Sequence, residues 1–508
     1  MINKIQRWSN SFINIFLVVF IALAVLSSSA KVLPYFNELG PSSVYLIDLC
    51  IVAIVIIFLL RKNLKKPIAH FHETISNNTK LLYIFAFILI ISWQFYVVNS
   101  INGKTMWDAN MILSRVADFD NMKALTNEYL SVYPNNVLLF LYERGIWFIF
   151  GKPGLVDLTL ILSSINIFLV DFSIILGGRS LKKIFNTRIA NIFLISELFL
   201  MALSPWIAVP YSDIWAFFFS SMSMCLSIEI FSVKSQKKQI IFAILLGMVI
   251  TCSYFIKPSL IIFYIAVGIV TLLSFFAKKK RFTLLTLLTV LLTSILLIFS
   301  FSSYQKNISW LNLNDNRAFS MMHFAAMGAI NKGAYNPQDY LADKAIKNPE
   351  KRNRRDTKAF VRRIKGYKNF ANYQRFLVRK HSLNTADGTF NWSGNGIKVI
   401  FDRRNDLPQK LFTTKTVNFT KNTPFSFPVQ IVWVATLTLI LFSLPNKRLF
   451  TQILKYSIVG FFLFLLIFEG GKSRYMIQLL PFLCALASIG GNELTIRIRV
   501  LLGSLYTK

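Results

Sequence analysis

Asp108 directly follows Trp107 at the end of a long apolar segment, and Tyr133-Pro134-Asn135 comes about 25 residues later. A carboxylate in such a place can orient an attacking hydroxyl or take its proton. A second carboxylate, in Pro210-Tyr211-Ser212-Asp213, opens a later apolar segment, and Lys257, Lys472 and Arg474 stand at the ends of others. Ammonium and guanidinium groups stabilise a departing phosphate as its charge develops, Lys as a point charge and Arg through a bidentate fork. Asp108 and Asp213 are therefore the candidate catalytic carboxylates, and Lys257, Lys472 and Arg474 the candidate phosphate binders. Trp107, Tyr133, Asn135, Tyr211, Tyr475 and Trp392 are the candidate substrate contacts. Asp118-Phe119-Asp120 has the spacing of a carboxylate pair for a divalent metal, Mg or Mn, provided the segment is extended or turned. On a helix, positions i and i+2 do not face each other, and the pair is then a solvated surface.

The elements that must position these groups are membrane spans. The chain has 508 residues, is 54% hydrophobic and holds 48 Phe, with the apolar residues in blocks long enough to cross a hydrocarbon core. The formal net charge of +33 does not point to nucleic acid, because the basic residues cluster in short loops between spans and in one long loop. That distribution suits topology control and anionic lipids. Cys50, Cys225, Cys252 and Cys484 lie in or beside apolar segments without metal-ligand spacing and read as small hydrophobes. The first apolar segment reads as an uncleaved anchor.

Twelve spans are expected, near 12–29, 44–60, 81–99, 155–177, 189–207, 212–231, 239–256, 259–276, 283–301, 427–444, 453–469 and 474–490. A further apolar stretch, 136–150, carries Glu143 and Arg144 at its centre, and burying two charges at mid-bilayer costs about 2.5–3.5 kcal/mol each. Laying 136–150 along the interface also puts every short basic loop on one side, as the positive-inside rule asks. Both termini are then cytoplasmic. Asp108, Asp213, Lys257, the loop 302–426 and the turn from Glu469 to Arg474 emerge together on the outer face of the cytoplasmic membrane.

The segment 338–383 of that loop has apolar and aromatic residues at helical spacing opposite a basic face, which fits a surface attracted to anionic headgroups or to a substrate phosphate. Several residues also have plain structural readings. Asp108 and Asp213 are positioned to cap helices, Lys257 to snorkel, Glu143 and Arg144 to pair at the interface, and His323 to make a structural hydrogen bond.

In their order, Trp107-Asp108-Ala109, Tyr133-Pro134-Asn135, Pro210-Tyr211-Ser212-Asp213 and Lys472-Ser473-Arg474-Tyr475 resemble the GT-C superfamily. Its members are glycosyltransferases that use polyprenyl-phosphate sugars, such as protein O-mannosyltransferases and the lipid A aminoarabinose transferase. The resemblance runs over about residues 81–490. It implies an all-α polytopic fold with about 12 transmembrane helices (11–13), interfacial juxtamembrane helices and one long external loop. Residues 81–301 would form the catalytic core, with first external loop 100–154 bearing Asp108 as the catalytic Asp. Residues 302–426 would form the loop domain and 427–508 the last spans, while 1–80 hold two additional helices. The implied partners are a lipid-linked sugar donor, anionic lipids and an extracytoplasmic glycan, glycolipid or protein acceptor. A lipid-linked oligosaccharide flippase, and a polymerase or ligase using diphosphate-linked donors, are the alternatives.

Overall fold

The computed structural model describes residues 2–39, 52, 78–105, 107–276, 284–392, 399–413 and 423–506. The expected span 44–60 (apart from Val52), Cys50, Ser393, Gly394 and the basic loop from Lys278 to Arg281 lie outside the described residues. Among the described residues helices dominate, with one two-stranded antiparallel pairing of Gly103–Lys104 with Val399–Ile400.

Among the described residues eight helices are long and apolar enough to cross a bilayer: Gln6–Asn37, Leu81–Ser100, Leu155–Ile184, Ser212–Ser232, Gln236–Ile256, Leu284–Lys306, Leu449–Ile467 and Ser473–Leu501. Pro258–Ser274 and Ser426–Phe442 are apolar but shorter. The expected span 189–207 is broken. Asn186 caps a helix that runs only over Thr187–Glu197, its side chain accepting from the Ile189 amide at 2.9 Å. A wider turn follows at Leu198–Ala202, then a tight one at Pro205–Ala208. Hydropathy sees the apolar side chains of this stretch but not the local hydrogen bonding that interrupts it.

The stretch 136–150 forms the 13-residue helix Val137–Ile149, about 20 Å at 1.5 Å per residue and too short for a hydrocarbon core. Its two charges are buried but not paired with each other, contrary to the interfacial pair expected. Arg144 donates to the Val116 carbonyl at 2.9 Å and stacks over Phe119 and Trp147. Glu143 is fully enclosed, and burial pushes its carboxyl well above the usual range.

Small residues set the closest helix contact. Ser426–Phe442 packs along Leu480–Tyr506, and a Cβ on Gly490 would sit 1.8 Å from the Leu439 carbonyl oxygen. Backbone cannot yield as a side chain can. Gly490→Ala should therefore destabilise the protein by about 1–3 kcal/mol, read as a lower unfolding midpoint in detergent; an unchanged midpoint would mean that the two helices do not approach this closely.

The first helix has a structural role that the sequence did not reveal. The Ser28 hydroxyl donates to the Thr385 carbonyl at 3.0 Å, and Tyr35 donates to Asp387 at 3.1 Å. Gln430 bridges the carbonyls of Ser28 and Ala386, each at 2.8 Å. These bonds tie the N-terminal helix to residues that follow the loop domain's last long helix. The loop segment 338–383, expected as one helical stretch, is three helices: Pro337–Ala345, Pro349–Gly366 and Phe370–Thr385. Asn336, Asn348 and Asn369 cap them, each accepting a backbone N–H one turn ahead. Lys351, Arg354, Lys358, Arg362 and Lys365 line the exposed face of the middle helix. Its inner face buries Arg352 and Asp356 beside Ala359.

Candidate functional site

Asp108 is the first residue of the helix Asp108–Ala117, where a negative charge is favoured by the helix dipole. It does not serve as the cap. The Thr105 hydroxyl accepts the Asn110 amide at 3.1 Å, which leaves the Asp108 carboxylate for other work. That carboxylate faces the Tyr129 hydroxyl and acts electrostatically on Tyr133, Tyr211, Tyr335 and Glu469. Burial first, and Asp108 next, push the phenols of Tyr129 and Tyr133 upward, so both keep their protons at neutral pH. Tyr129 is held in turn by Asn136, whose amide donates to its hydroxyl at 2.8 Å. The Tyr133-Pro134-Asn135 motif makes the tight turn that places Asn136, while the Asn135 side chain donates to that of Asn136 at 3.3 Å.

Asp213 has a different status. It lies in the first turn of Ser212–Ser232 but makes no capping bond. Instead it pairs with Lys257, and the Arg474 Nε lies 3.4 Å from its other oxygen. The three side chains are only 2%, 14% and 11% exposed respectively. Two cations thus share one carboxylate, and the trio carries a net positive charge. Lys257 is more than a snorkelling span end, since its ammonium also lies 5.7 Å from the Tyr475 ring.

Arg474 is gripped by rings. Its guanidinium sits 4.2 Å from the Trp107 ring and 5.5 Å from that of Tyr211, and those rings meet edge to face at 4.8 Å. Among the described residues its Nε makes no hydrogen bond, only the longer ion-pair approach to Asp213. Stacking fixes the plane of the guanidinium without consuming its donors, which suits a bidentate contact to an anion.

The sequence reading assigned no role to Glu469 or Tyr129. Glu469 accepts from the Tyr475 hydroxyl at 3.1 Å; burial raises its pKa, while Tyr475, Lys472 and Arg474 oppose that shift. A carboxylate in a turn and a Tyr in mid-helix have no motif to mark them, and only the fold brings them here.

The loop domain shapes this turn. The Gly470 amide donates to the Gly333 carbonyl at 2.7 Å, and the Gly471 amide to the Asn384 side chain at 2.6 Å. Lys380, buried, gathers the carbonyls of Gly328, Leu466 and Phe468 at 2.7, 3.0 and 2.6 Å. Gly471 has φ of +70°, and an added Cβ would lie 2.3 Å from the Lys332 carbonyl oxygen. Gly471→Ala must then displace the turn that carries Lys472 and Arg474. We expect whatever reaction the site supports to slow on the order of 10²-fold, as for an ångström-scale misplacement, with the protein still eluting as a folded species. Normal turnover would show that the turn does not set the site's geometry.

Other expected contacts fall elsewhere. Trp392 is buried, donates to the Phe412 carbonyl at 2.7 Å and packs edge-on against Trp206, 5.5 Å away. It is a core residue behind Trp107, not a substrate contact. Asp118 and Asp120 are exposed on either side of buried Phe119, at the joint between two helices and in the first turn of the second. Asp118 accepts from Asn121 at 2.8 Å. Neither joins the charges around Asp213, and the helical continuation from Phe119 turns the pair apart.

A family described as conserved hypothetical integral membrane protein matches residues 1–494. The chain belongs to that family. No curated protein and no solved structure matches it. The multi-pass membrane character read from the apolar blocks thus agrees with both the helices and the family.

Proposed function

We propose that the protein is a membrane glycosyltransferase that moves a sugar from a polyprenyl-phosphate donor to an acceptor hydroxyl outside the cytoplasmic membrane. The observation that carries this reading is the division of labour between two carboxylates. Asp213 is occupied by Lys257 and Arg474, whereas Asp108 makes no ion pair among the described residues and faces a ring of tyrosines. The acceptor oxygen forms a bond to the anomeric carbon and gives its proton to Asp108. The bond from that carbon to the phosphate oxygen breaks, and the departing lipid phosphate takes the electron pair. Arg474 and Lys257 stabilise the new charge, with Lys472 nearby on the same turn. Trp107, Tyr211 and Tyr475 supply faces for a sugar ring. The basic face of Pro349–Gly366 favours an anionic acceptor, such as a phosphate-bearing cell-surface polymer, or anionic headgroups. Both termini are assigned to the cytoplasm by the distribution of basic loops.

Transport of a lipid-linked sugar is the second reading, and one observation favours it. Asp171 lies near the middle of Leu155–Ile184 and accepts from Gln94 at 2.8 Å. Intramembrane ionisable groups often mark transport paths. The two readings separate in proteoliposomes carrying a labelled donor lipid. A transferase releases polyprenyl phosphate and labels the acceptor, whereas a flippase changes the donor's leaflet and leaves it intact. Leaflet exchange without cleavage would replace the first reading by the second.

A further inference from the structure

The loop domain holds a second concentration of chemistry, separate from the residues around Asp108. His323 comes from Met321–Gly328, Asp343 from Pro337–Ala345 and Asp356 from Pro349–Gly366. All three are essentially inaccessible, and one ligand-capable atom from each lies within 4.8 Å of the others. The His323 Nδ1 is 2.5 Å from the Asp343 Oδ2. The carboxyl of Asp356 faces that of Asp343, and its buried Oδ2 has no hydrogen-bond donor among the described residues.

The outer oxygens of the same carboxylates are held in place. Arg355 donates to the Asp343 Oδ1 at 2.5 Å and to the Asp356 Oδ1 at 3.2 Å. Arg363 makes a two-pronged contact with Asp339, both arms 2.8 Å long. Arg352 is committed to the backbone carbonyls of Ile346, Asn316 and Ala318. Guanidinium contacts that fix one oxygen of each carboxylate aim the other inward, as the outer partners of metal ligands do. The Asp343 Oδ2 has His323 as its partner, but the Asp356 Oδ2 beside it has no donor among the described residues, which leaves one demand unmet: a cation or a shared proton between the carboxylates.

We propose that His323, Asp343 and Asp356 form a buried divalent-cation site of zinc or manganese type. One imidazole nitrogen and two carboxylate oxygens suit these ions better than calcium, which prefers an all-oxygen shell. The His323 Nδ1 and Asp343 Oδ2, now 2.5 Å apart, need to separate by about 1 Å to share a tetrahedral zinc ion at its ~2.0–2.2 Å bond lengths. The site is structural. It pins three helices next to Gly328, whose carbonyl Lys380 joins to the turn bearing Glu469. It also replaces Asp118 and Asp120 as the place where a metal belongs.

The test uses the full-length protein, purified in detergent, treated with chelator and then dialysed against zinc or, separately, manganese. Metal per chain is read by mass spectrometry and the unfolding midpoint by fluorescence. Wild type should retain about one equivalent and unfold at a higher temperature when loaded. His323→Gln and Asp356→Asn should lose both responses. Cobalt loaded in place of zinc should give a ligand-field absorption band that Asp356→Asn abolishes. Wild type that retains no metal and shows no shift would overturn the proposal and leave a shared proton between the carboxylates. So would an equivalent of metal that survives in both variants, because it would then sit elsewhere. Since the wild-type measurement decides first, a variant that fails to fold does not rescue the proposal.

Discussion

On the proposed function, Asp108→Asn should lower sugar transfer by about 10²–10⁴-fold, the usual contribution of a positioned general base, while the protein stays folded and still binds donor. The carboxamide keeps the shape of Asp108 but cannot accept the acceptor's proton. Stability changes little because Asp108 makes no ion pair among the described residues and the helix start is capped by Thr105. Donor affinity is retained because Lys257 and Arg474 are bound to Asp213, not to Asp108. The measurement is turnover of labelled donor beside equilibrium binding of the same lipid, wild type against variant. Loss of binding together with turnover would make Asp108 a donor ligand; unchanged turnover would move the base elsewhere.

Asp213→Asn has the second large effect, and it acts first on stability. Removing one partner of a buried ion pair leaves charge uncompensated and typically costs about 3–5 kcal/mol. Here two cations, Lys257 and Arg474, lose their carboxylate at once, and both are mostly buried. The unfolding midpoint of Asp213→Asn should fall sharply, and adding Lys257→Met should recover part of the loss because one stranded charge is gone. Phosphate or a phosphorylated lipid should raise the single variant's midpoint more than the wild type's, since the anion takes the place of the missing carboxylate. If the two losses simply add, the pair is not energetically coupled, and Asp213 is not what holds the two cations.

Much of this arrangement was legible in the sequence, for identifiable reasons. The long spans declare themselves through apolar blocks that a membrane requires and a soluble core does not. The helix Val137–Ile149 was recognised as non-spanning because Glu143 and Arg144 carry a charge cost and because the basic loops balance only if it does not cross. Asp108, Tyr211, Asp213, Lys257 and Arg474 were legible as candidates because each stands at the end of an apolar segment, and the structure brings those ends together. Three things were hidden. The break after Glu197 depends on a wide turn and then a tight one, whose hydrogen bonding hydropathy averages away. Tyr129 and Glu469 reach the site only through tertiary packing. The inner face of Pro349–Gly366, with Arg352 and Asp356, looks like a solvated surface in any pattern based on hydrophobicity. Its burial depends on backbone carbonyls that accept from Arg352 and on Asp343 and His323 from two other helices beside Asp356, and single-sequence periodicity carries no information about such partners.

The central claim is that this protein cleaves a polyprenyl-phosphate sugar. The most direct test supplies purified protein with a panel of radiolabelled polyprenyl-phosphate sugars and follows free polyprenyl phosphate. The account predicts that at least one donor is consumed, that its sugar is transferred or released to water, and that Asp108→Asn stops both. A folded protein that binds such donors yet cleaves none of them, with or without cell-surface acceptors present, would contradict it.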